Sequence, residues 1–273
     1  MIALLYGWIY ACLLGSLAAC VVRARGYTRA PLHLRWELYP VPGTAAERAK
    51  AMVMEVLFLK GLWQFNRSLW IWSYAFHLGL YLAVCAGLAA MADALIPAAA
   101  LQCALAIAGG AASILIPVGA LGLLVRRLTD SKLRTYTSAG DIFNLCLFVV
   151  TVALLVGAKT FSPWVPASVF IRSLATFDTR LHVPKAQGVA FATAAALTLY
   201  IPLTHMAHSI AKYFTYHSVR WDDRPSRNNV AIEARIAEYL TYRPRWSASH
   251  IGATGGATWA DVVSKTPEQE GRK

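Results

Sequence analysis

Charge is scarce in this 273-residue chain: Asp, Glu, Lys and Arg supply 15% of it, against 57% hydrophobic residues, and the mean hydropathy is +0.47. So little charge excludes an ordinary soluble domain. Cysteine is sparse and unpaired in pattern. Cys12, Cys20, Cys85, Cys103 and Cys146 form no C-x-x-C pair, so neither an iron–sulfur cluster nor a zinc site is encoded, and they read as small apolar packing residues. No segment alternates apolar and polar residues over the ten residues of a membrane β-strand, which sets aside a membrane barrel. There is no internal repeat at a useful period. No basic region precedes the first apolar stretch, which therefore reads as a retained helix rather than a cleaved signal.

What the chain does have is long apolar runs. Five windows, 2–22, 69–92, 97–125, 141–161 and 187–211, each approach or exceed the roughly 20 apolar residues that cross a bilayer. Lipid leaves no partner for free backbone polar groups, so it accepts only helices and closed barrels. The reading is an all-α integral membrane bundle of five transmembrane helices over residues 1–217, with a segment at 23–67 on one side of the bilayer. Pro117 predicts a kink in the third helix. The remaining 218–273 is polar and glycine-dotted (Gly252, Gly255, Gly256); too short for a second core, it reads as a tail that docks on a partner.

The 26 Lys and Arg against 14 Asp and Glu give a formal charge of +12. They cluster by loop: Arg23, Arg25, Arg29, Arg35, Arg48, Lys50, Lys60 and Arg67 follow the first helix, none falls at 91–97, and Arg126, Arg127, Lys132 and Arg134 follow the third. The loop at 161–187 has only Arg172, Arg180 and Lys185, and the tail is again basic. This alternation follows the positive-inside rule, placing the N-terminus outside and the C-terminus in the cytoplasm. The cations read as topogenic charge beside anionic lipid, not as a nucleic-acid footprint.

Ionisable or ligating residues inside a membrane are costly and so are functional candidates. His77, eight residues past Leu69, lies about 12 Å deep along its helix. His208 precedes Lys212 by four residues on the fifth predicted helix, at a comparable depth. Two imidazoles at one depth on different helices match the axial pair of a b-type haem; the alternative is hydrogen bonding to neighbouring helices. His205, three residues before His208 on the same predicted helix, points about 60° away and is the alternative ligand. His33, His182, His217 and His250 read as surface residues.

Three runs resemble the cytochrome b (gamma) subunit of respiratory nitrate reductase and its relatives in sulfite-reducing and heterodisulfide-reductase-like menaquinol complexes. Phe76-His77-Leu78-Gly79 is similar to an F-H-x-G motif. Pro202-Leu203-Thr204-His205-Met206-Ala207-His208 is similar to P-x-[ST]-x-x-x-H. Arg35-Trp36-Glu37-Leu38-Tyr39-Pro40-Val41-Pro42, then Phe58-Leu59-Lys60-Gly61-Leu62-Trp63, resembles the heterodisulfide-reductase-associated branch; together with Thr258-Trp259-Ala260-Asp261-Val262 in the tail, the resemblance spans nearly the whole chain. The resemblance implies a subunit of the cytoplasmic (inner) membrane that exchanges electrons between menaquinol or another quinone and a cytoplasmic iron–sulfur partner. It also implies that His77 and His208 hold the iron of the haem b nearer the cytoplasm.

The family's second haem takes one more histidine on each of these helices; by that pattern they would fall at Gly87 and Ala190, so a single haem is expected. The small residues there leave room either for close helix packing or for a quinone. Lys159 and His182 are further quinone-site candidates on the outer side, His182 as a proton acceptor in quinol oxidation. Arg67, Arg126, Arg127 and Arg134, at the cytoplasmic mouth, are candidate propionate partners. The segment 165–176 reads as a helix on the outer interface, with Trp164 and Phe170 as belt residues. The competing function is a non-redox anchor for a cytoplasmic complex, which predicts no haem; either way the chain is a subunit rather than a complete enzyme. A transporter ranks last because no paired broken helices are evident.

Overall fold

The computed structural model describes residues 2–29, 42, 44–221, 230–244 and 256–264. His33, His250 and the run 35–41 lie outside the described residues. No strand occurs among the described residues. Five helices are long and apolar enough to cross a membrane: α1 Ile2–Arg29, α4 Arg67–Leu95, α5 Ala99–Thr129, α7 Ala139–Phe161 and α9 Lys185–Leu203. Between them run α2 Ala45–Leu57, α3 Lys60–Phe65, α6 Ser131–Thr135 and α8 Ala167–Thr176; after α9 come a 3-10 turn His205–Ala207, α10 His208–Phe214 and a π-helical turn Thr215–Arg220. Contacts divide the chain into Met1–Trp221 and Asp222–Lys273. The second unit contains α11 Val230–Leu240 and α12 Trp259–Ser264, the latter capped by Asp261 accepting from Thr258 N–H at 2.7 Å.

The five long helices form a row in which α4 packs on α5, α5 on α7, α7 on α9, and α9 on α1. The tightest seam is α4 against α5, where glycine is obligatory: a Cβ on Gly119 would stand 2.4 Å from the Phe76 backbone nitrogen, and one on Gly122 2.1 Å from the Trp72 ring. Phe76, Ala112, Ile116, Ala120, Leu145, Phe148 and Leu197 form the core of that seam and its neighbours. α5 runs through Pro117 without ending there.

One end of the row is basic. There Arg126 donates to Ser68 at 3.1 Å and pairs with Asp130, and Arg127 pairs with Asp141 at 3.6 Å. The opposite end is closed by α8, which packs against α4. Of the two expected belt residues, Trp164 and Phe170, the second is corrected: Phe170 is turned inward. Phe170 is buried in a cluster with Tyr6, Ile9 and Cys12, and Trp164 sits 5.5 Å from the Phe191 ring. Polar groups at this end satisfy one another: Tyr6 meets Ser173 Oγ at 2.5 Å, Tyr10 donates to the Leu174 carbonyl, and Arg172 donates to the Ala94 carbonyl at 2.8 Å. Gln187, fully buried, accepts from Val165 N–H at 2.9 Å and donates to the Val165 carbonyl at 2.7 Å.

The fifth predicted helix, 187–211, is likewise corrected: it breaks after Leu203. Pro202 cannot continue the ladder, and Thr204 takes an extended backbone, with its hydroxyl accepting from Met206 N–H at 3.3 Å to start the next turn. The carbonyls freed at the break, Pro202 and Leu203, accept from the Arg23 guanidinium at 3.0 and 2.9 Å. A cation from α1 thus caps the C-terminus of α9, where the helix dipole favours positive charge.

Candidate functional site

The Phe76-His77-Leu78-Gly79 run places its members by helical period. Phe76 and Gly79, three apart, share the buried face, Phe76 against Phe148 and Gly79 against Ile116. His77, one residue past Phe76, is turned about 100° from that face and is half-buried. Its Nδ1 lies 2.7 Å from the Ser73 carbonyl. Donation of Nδ1–H to that carbonyl fixes the tautomer and leaves Nε2 with a free lone pair, the arrangement typical of a metal-bound imidazole.

His208 opens α10, just past the break in α9. The break brings it to His77: the ring centroids are 5.9 Å apart, with planes at 68°. Two metal–nitrogen bonds of about 2 Å and the half-widths of two imidazoles come to about 6 Å. The donor set and spacing therefore fit a bis-histidine iron. α4 and α10 share no extended packing among the described residues, so the two rings meet outside a helix–helix seam. No group of three or more His, Cys, Asp or Glu suited to a metal ion occurs among the described residues; a haem requires only two protein ligands.

His205 faces elsewhere. Its Nε2 stands 3.2 Å from Asp141 Oδ1 and 3.2 Å from Asn144 Nδ2 on α7, and Asn144 Oδ1 accepts from Tyr200 at 2.9 Å. The 60° offset expected on a continuous helix does not apply, because His205 lies in the 3-10 turn and His208 in the following helix. For the same reason Ala190 and His208 do not share a helical face. Ala190 is fully buried, whereas Gly87 is exposed with open space where a Cβ would stand. Lys159 and His182 are exposed. Among the arginines, Arg126 and Arg127 are in the ion pairs given above, Arg67 lies over the Trp63 ring at 4.8 Å, and Arg134 is exposed. Arg126 Nε is buried with no hydrogen-bond partner. His217 stacks on Tyr213 at 4.2 Å.

Sequence reasoning missed Ser73, Glu55 and Asn144. Ser73 acts through its carbonyl, which carries no residue signature. Glu55 had one: a carboxylate inside the apolar run Val53-Met54-Glu55-Val56-Leu57. Asn144, only 5% exposed within an apolar helix, had the same kind of signal.

No curated protein and no solved structure matches the chain. A family model described as nitrate reductase gamma subunit matches residues 63–222, a span containing α4, α5, α7, α9 and both histidines. That span is more than half of the chain, so this protein belongs to the nitrate reductase gamma subunit family, membrane cytochrome b-type subunits of respiratory oxidoreductase complexes.

Proposed function

We propose that the chain is the quinone-linked membrane subunit of its complex, with His77 and His208 as axial ligands of one haem b. The observation that carries this is the meeting of the two imidazoles, 5.9 Å apart, from separate helices within the matched span. When bound, haem b supplies the one-electron exchange that links a two-electron quinol to one-electron iron–sulfur clusters. The residues around it do the positioning. The Ser73 carbonyl orients His77, and the break after α9 positions His208. Arg126, with a buried nitrogen left over after its Asp130 and Ser68 contacts, is the best placed of Arg67, Arg126, Arg127 and Arg134 to pair with a propionate.

The basic end faces the cytoplasm by the charge rule, in the cytoplasmic membrane, and an iron–sulfur subunit docks there, with 218–273 forming part of its contact. Quinone enters from the bilayer; Gly87, exposed beside open space, is the favoured candidate among Gly87, Ala190, His182 and Lys159. The test is the dithionite-reduced minus oxidised spectrum of the purified chain, with a pyridine haemochrome to count haem. One haem b per polypeptide is expected. No haem in assembled protein would leave the non-redox anchor standing, and two would overturn the single-site reading.

A further inference from the structure

The helices that carry the two histidines are joined by a third element. α2 ends between them, and polar groups at its end are taken by both sides. On the α4 side, Tyr81 donates to the Val56 carbonyl at 2.5 Å and Trp70 Nε1 donates to the Phe58 carbonyl at 2.8 Å. On the α10 side, Lys212 donates to Glu55 Oε1 at 2.6 Å. The other Glu55 oxygen accepts from Gly61 N–H at 2.9 Å, holding the turn into α3. That turn passes through Leu59 at φ 52°, a left-handed conformation unfavourable for a branched side chain. Both partners stand in the same register to their histidine: Tyr81 is four residues after His77, and Lys212 four after His208. On a helix that places each on the histidine's own face, one turn along.

We propose that the Glu55–Phe58 segment is a clasp that sets the spacing of His77 and His208, and that Glu55 with Lys212 is a positioning pair which also sets the local electric field at the haem. This rests on the haem reading given above. Among the described residues α4 and α10 have no extended packing on each other, so the clasp is the direct polar link between them. Glu55 and Lys212 have side-chain exposures of 13% and 28%, so their charges are only partly screened. Because reduction removes positive charge from the iron, a nearby cation favours the reduced state and a nearby carboxylate the oxidised one.

The test compares full-length wild type with Glu55→Gln, Lys212→Met and the exchange Glu55→Lys with Lys212→Glu. Haem content, the low-spin electron paramagnetic resonance spectrum and the midpoint potential are read for each. Both single variants are expected to weaken haem retention about tenfold, in the range of outer-shell effects, and to shift the largest g value, which reports the relation of the two imidazole planes. The midpoint is expected to rise in Glu55→Gln, where Lys212 loses its counter-charge, and to fall in Lys212→Met. The exchange variant restores the ion pair but leaves Gly61 N–H without its acceptor, so relative to the single variants it is expected to recover haem retention and the g value only in part. Single variants with wild-type spectra and haem content would overturn the clasp while leaving the axial pair intact. A wild-type chain without haem would overturn the proposed function and the clasp with it.

Discussion

The two ends of the transmembrane unit use polar residues in opposite ways. At the α8 end, Tyr6, Ser173, Gln187, Asp93 and Arg172 are turned inward onto hydroxyls, backbone groups or side-chain amides. Such closed networks fix a fold, since a buried polar group without a partner is costly. At the basic end, His77 is tethered through the Ser73 carbonyl, and its ring meets that of His208. Polar groups that satisfy one another hold structure; polar groups held in place with a lone pair to spare are available for chemistry. Gly87 and Ala190, the positions set against a second haem in the sequence, lie toward the closed end, one open and one sealed.

The strongest test of this contrast is the histidine pair itself. His77→Ala and His208→Ala should each remove all haem, read by pyridine haemochrome, while the protein still elutes as an assembled species in detergent. At the closed end the effect should be on stability instead. Gln187→Leu strands Val165 N–H and C=O together and should cost about 2–5 kcal/mol, measured by thermal unfolding in detergent with haem content per folded chain unchanged. Gly119→Ala pushes a methyl into the α4 backbone and should cost about 1–3 kcal/mol; an unchanged melting temperature would mean the α4–α5 seam is looser than described.

Smaller effects sharpen the picture. His205→Ala should retain full haem content, because His205 is engaged by Asp141 and Asn144; loss of haem equal to that of His208→Ala would reassign the ligand. Gly87→Ala meets nothing within 4 Å and should be neutral or stabilising by up to about 1 kcal/mol. A marked loss of quinol oxidation in that variant, with haem intact, would support quinone binding there.

The number and placement of the spanning helices were legible in the sequence because each must bury its own backbone bonds in lipid, so α1, α4, α5 and α7 follow from apolar run length alone. The register of Phe76, His77 and Gly79 was equally legible from helical period. The break in α9 was signalled by Pro202 and Thr204, yet the apolar run continues past it, and run length reads through a short interruption. Phe170 looked like a belt residue because α8 is amphipathic; the partners that bury it, Tyr6 and Phe191, are distant in sequence.

By itself, then, the sequence determined an all-helical membrane bundle and the two histidines as the residues to watch, since hydropathy and helical period are local properties. Tertiary structure decided which histidine of the second motif faces His77, that Ala190 is sealed while Gly87 is open, and that Glu55 reaches Lys212 across 157 positions. These depend on where the chain breaks and which helices approach, and both are set by packing between distant segments rather than by any local run of residues.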